Sequence, residues 1–65
     1  MEISAAKIEN ILAEKTMTKS TLASRCGISR QNISAIIKRE SCEPRTAGRI
    51  ASGLGVTVDQ IRKEA

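Results

Sequence analysis

The sequence predicts an all-α domain of five short helices, from three observations. Apolar residues recur at i, i+3, i+4 spacing in several segments, and no stretch alternates with a strand's period of two. A hydroxyl residue preceded by an apolar one marks the start of three helices. At 65 residues there is room for one domain, spanning 1–65, with one small core. A chain this short buries only about 60% of the surface its unfolded form exposes, so a few Ile, Leu, Val and Ala must fill that core.

The elements follow in order. Ala5, Ile8, Ile11 and Leu12 form a helical stripe, giving a first helix from about Ser4 to Lys15. Met17-Thr18 precedes Leu22, Ile28-Ser29 precedes Ile33, and Val56-Thr57 precedes Ile61. In each, the hydroxyl can accept from a free backbone N–H, and the preceding apolar side chain can pack four positions into the helix. Thr57 and Gln60 also match a capping box, which predicts the fifth helix. The fourth follows Pro44 and carries Ala47, Ile50, Ala51 and Leu54 on one face. Gly27 and Gly55 stand where a left-handed residue would end the second and fourth helices. Gly48 and Gly53 should weaken the fourth helix by up to about 1 kcal/mol each relative to Ala. Close helix packing at Gly48 would offset part of that.

The second and third helices have the layout of a helix-turn-helix. Ala23 supplies a small side chain where they cross, and Gly27 a turn residue tolerant of positive φ. Leu22, Cys26, Ile28, Ile33 and Ile36 can fix their mutual angle, although a generic helical hairpin shares part of this pattern. With Ile33 and Ile36 inward, Arg30, Gln31 and Ser34 face out, followed by Ala35 and Lys38. Arg can pair bidentately with guanine and Gln with adenine, while Ala can touch a thymine methyl. Asn32 has three roles open to it: the helix start, a phosphate or a base. Lys19, Lys38, Arg39 and Arg45, the last expected in the loop after Pro44, are placed for phosphates. Arg25 and Arg49 are balanced between phosphate and solvent.

Charge and composition point the same way. Between Thr18 and Arg49 seven basic residues face only Glu40 and Glu43, whereas the flanking segments are balanced. The chain has no Phe, Tyr, Trp or His on which to stack unpaired bases, which favours duplex DNA over single strands. Without His, Cys26 and Cys42 do not make a zinc site, and no metal or cofactor is expected. Cys26 fits a core position, and Cys42, between charged residues, fits a loop open to adventitious disulfide formation. No base accompanies the serines, so the chain is not expected to be an enzyme. No signal peptide or long apolar run appears, which predicts a cytoplasmic protein with reduced thiols and no membrane partner.

Over nearly its whole length the sequence resembles the phage repressor and Cro family, the XRE-type helix-turn-helix proteins. The resemblance rests on Leu22-Ala23, Cys26-Gly27-Ile28-Ser29-Arg30 and Ile33-Ser34. It continues through Pro44, Arg49-Ile50-Ala51 and the run from Leu54 to Ile61. It implies a five-helix, lambda-repressor-like domain that binds a two-fold symmetric operator as a dimer, as a repressor. It also implies base contacts from Arg30, Gln31, Ser34 and Ala35, and phosphate approach from Lys19, Asn32 and Lys38. Arg45 matches a position from which some members reach the backbone or a narrow minor groove. Two departures stand out. Ile37 replaces a common Glu or Trp, and is either core, the favoured reading, or an exposed contact. Relatives also have a glycine where Arg39 or Glu40 stands, so the turn there is expected to differ. The chain is expected to end with this domain, so a dimer would use the last helix and the loop from Glu40 to Glu43. The alternative is an antitoxin that holds a protein toxin and represses its own promoter. Only Ile3, Ile37 or Val58 is available to seed the apolar surface this needs.

Overall fold

The computed structural model describes residues 1–64, and each of its helices begins at a residue suited to start one. These are α1 (Ala5–Glu14), α2 (Lys19–Cys26), α3 (Arg30–Arg39) and α4 (Pro44–Leu54). The Ser4 hydroxyl accepts from the Lys7 N–H at 3.2 Å, Thr18 from Thr21 at 3.1 Å and Ser29 from Asn32 at 3.2 Å. Each such cap stabilises its helix by about 1 kcal/mol. Helix α4 opens instead on Pro44, where a missing N–H removes no helical bond. Arg45 therefore lies in the first turn of α4 and not in the loop.

At their far ends, α2 and α4 stop at Gly27 (φ 69°) and Gly55 (φ 75°), in the expected left-handed conformation. Helix α3 ends on Glu40, also left-handed at φ 54°. That conformation disfavours an L residue with a side chain by about 1–2 kcal/mol. Here the side chain supplies compensating contacts. Glu40 Oε2 accepts from the Ala5 N–H at 3.0 Å, and Oε1 lies 3.7 Å from Lys63 Nζ.

The core draws Ile8 and Leu12 from α1, Leu22, Ala23 and Cys26 from α2, and Ile33, Ile36 and Ile37 from α3. Helix α4 adds Ala47, Ile50, Ala51 and Leu54, its predicted stripe. Full burial of each large side chain stabilises the fold by about 1.5–3 kcal/mol. Ile37 is core. Helix α2 packs on α4 and α3. The close approach of α2 and α4 is at Gly53, where a Cβ would stand 3.2 Å from both Cys26 Cβ and Leu22 Cδ1. At Gly48 a Cβ would meet nothing within 4 Å, so the packing expected there is absent.

The fifth helix shrinks to a 3-10 turn, Val58–Gln60. Gln60 Oε1 does accept from the Thr57 N–H at 2.9 Å, so the start signal is used. What stops the helix is competition for its backbone. The Ile61 carbonyl accepts from the Ser4 N–H at 2.8 Å, and the Lys63 N–H donates to Glu2 at 3.2 Å. On its other side the N-terminal segment meets the chain after α3. The Ile3 N–H donates to the Glu40 carbonyl at 3.1 Å, and the Cys42 N–H to Met1 at 3.0 Å. This three-segment seam, with Ile3 and Ile61 fully buried beneath it, was not foreseen from periodicity.

Two further expectations change with the seam. Ile3 and Ile37 are buried and Val58 is half-buried, so the apolar surface they were to seed is largely consumed by the core. Cys42 does lie in the loop between α3 and α4, but half-buried against that core. Burial pushes its thiol above the usual cysteine range, and the nearby Met1 amine and Arg39 oppose this.

Candidate nucleic-acid interface

Helix α3 is short and sharply two-sided. Ile33, Ile36 and Ile37 are buried, while Arg30, Gln31, Asn32, Ala35, Lys38 and Arg39 are exposed and Ser34 is half-buried. Gln31, Ala35 and Lys38, at i, i+4 and i+7, form the ridge farthest from the core. Arg30 and Ser34 flank it on one side; Asn32 and Arg39 flank it on the other. The Ser29 cap occupies the Asn32 amide and leaves those of Arg30 and Gln31 without a partner in the helix. The helix thus presents donors and partial positive charge at its N-terminal end.

A cleft runs along the second flank, between α3, the turn at Gly27 and the start of α4. It brings Asn32, Ala35 and Arg39 together with Thr46 and Arg49. Arg49 Nη2 donates to the Gly27 carbonyl at 3.2 Å, tying α4 to the turn between α2 and α3. Arg39 Nε donates to the Ser41 carbonyl at 3.4 Å and stays exposed. Lys19 and Arg45 lie outside this cleft, at the first turns of α2 and α4. Sequence reasoning left Arg49 undecided and passed over Thr46. The Arg45–Arg49 spacing, i and i+4 on a helix, was the available hint for Arg49; nothing marked Thr46.

The surface electrostatics are uneven. Among the described residues, Arg25, Arg30, Lys38, Arg39, Arg45 and Arg49 have no acidic group within ion-pair distance. Lys19 has one, Glu9 of α1, at 3.5 Å. An exposed polar ridge on a capped helix, with unpaired arginines along its cleft, suits a polyanion with readable edges.

The sequence matches the Cro/C1-type HTH DNA-binding domain over residues 7–63, from within α1 to Lys63. The chain belongs to this family. No curated protein and no solved structure gives a significant match. This Cro/C1-type domain is therefore a DNA-binding module of a non-enzymatic family, with α2 and α3 as its helix-turn-helix. The five helices expected from the sequence are here four helices and a 3-10 turn. Among the described residues no helix is long and apolar enough to cross a membrane.

Proposed function

We propose that this Cro/C1-type domain is a transcriptional regulator that lays α3 in the major groove of duplex DNA. Arg30, Gln31, Ser34 and Ala35 meet base edges, while Lys19, Asn32, Lys38, Arg39 and Arg45 meet phosphates. The observation that carries this reading is the ridge of Gln31, Ala35 and Lys38, held outward by three buried isoleucines on the same helix. Arg49 and Thr46, across the cleft from Asn32, extend the phosphate-facing surface. In the cytoplasm such a domain acts as a repressor by occluding a promoter, and a dimer of it reads a two-fold symmetric operator. Its half-sites would then lie roughly 34 Å apart, one helical turn.

The test separates reading from holding. Arg30→Ala should cost about 1–3 kcal/mol of discrimination at particular base pairs and leave the fold intact. Lys38→Ala should weaken binding to every duplex and lower the slope of log K against log salt by about 0.9. Binding of matched and mismatched duplexes across a salt series measures both. Equal losses on every sequence from both variants would overturn the assigned roles.

A further inference from the structure

Among the described residues, Lys19 differs from every other basic residue of the central segment in having an acidic partner. Its Nζ lies 3.5 Å from Glu9 Oε1, and the two side chains are 35% and 57% exposed. Lys19 is the first residue of α2, and Glu9 sits in the middle of α1, so the pair bridges two elements. Glu9 makes no other hydrogen bond or ion pair among the described residues. An exposed pair of this kind contributes little to folding. Its position suits a different effect: a phosphate that takes Lys19 must compete with a carboxylate already there.

We propose that Glu9 is a positioning residue that attenuates DNA affinity by holding Lys19 in the free protein and yielding it to a phosphate on binding. The inference rests on the DNA-binding reading above. Release of Glu9 leaves a bare carboxylate that takes up a cation as the duplex sheds one. Binding through Lys19 therefore yields less net counterion release than a free lysine would give. Glu9 thus lowers affinity for all duplexes alike and flattens the salt dependence, without reading sequence.

The experiment measures binding of one mixed-sequence, fluorescein-labelled 20-base-pair duplex from about 50 to 200 mM salt, the range over which phosphate contacts change affinity most usefully. Wild type is compared with Glu9→Gln, Lys19→Ala and the double variant. Glu9→Gln should tighten binding by about two- to fivefold at the lower salt. It should also steepen the salt slope by up to about 0.9. Glu9→Asp, too short to reach Lys19 equally well, should fall between. In the Lys19→Ala background the slope change on adding Glu9→Gln should vanish. An unchanged slope in Glu9→Gln, or the same change with Lys19 absent, overturns the proposal while the DNA-binding reading stands. Failure of wild type to bind any duplex at low salt overturns both.

Discussion

The two ends of α3 are held by different means. At its N-terminal end the contacts are mostly local: the Ser29 cap bonds Asn32, and the Gly27 turn, tied to α4 by Arg49, leads in from α2. At its C-terminal end they are remote. Glu40 reaches back 35 residues to the Ala5 amide, and Ile3 and Lys63 close over it from both ends of the described chain. The N-terminal end is set mainly by adjacent sequence, whereas the far end depends on the chain's extremities being in place. Anything that perturbs those extremities therefore reaches α3 through its C-terminal turn.

Paired core truncations put the largest strain on this comparison. Ile3→Ala and Ile33→Ala remove side chains that are both fully buried, one in the seam and one in α3. Each should cost about 2–5 kcal/mol in urea denaturation. A loss below about 1 kcal/mol for Ile3→Ala, in the range of surface substitutions, would make the seam an appendage.

Next come the two glycines of α4, which should respond with opposite signs. Gly53→Ala pushes a methyl against Cys26 and Leu22 and should destabilise by about 1–3 kcal/mol. Gly48→Ala has open space around it and should stabilise by about 0.5–1 kcal/mol. Thermal melts of both variants decide it; the same sign at both sites would contradict the placement of the helix crossing.

The smallest effects come from the two left-handed residues that are not glycine, Thr16 and Glu40. Thr16→Gly should gain roughly 0.5 kcal/mol, the relief of strain less the flexibility that glycine adds. Glu40→Gly should show no gain, because it also loses the bond to Ala5 and the pair with Lys63. If both melts rise alike, the long-range contacts at the end of α3 contribute nothing.

Legibility in the sequence follows the same divide. The Thr18 and Ser29 caps, the stripe of α4 and both glycine stops are short-range features, and they are where the pattern puts them. The seam depends on backbone pairing between residues about 40 to 60 apart, which leaves no periodic trace in Met1 to Ile3. The fifth helix fails for that reason: its start signal is sound, but its carbonyls are claimed from the other end of the chain. At the interface, the outward face of α3 was legible from Ile33 and Ile36 alone. The cleft was not, because Thr46 and Arg49 reach it through the packing of α4.

Selection from a random duplex library at about physiological salt, with wild type and Gln31→Ala in parallel, tests the central claim most directly. The account predicts an enriched inverted repeat for wild type, and for Gln31→Ala the same repeat with preference relaxed at one position in each half-site. No enrichment, with tight binding confined to low salt, would contradict it and reduce the contact with DNA to bulk electrostatics.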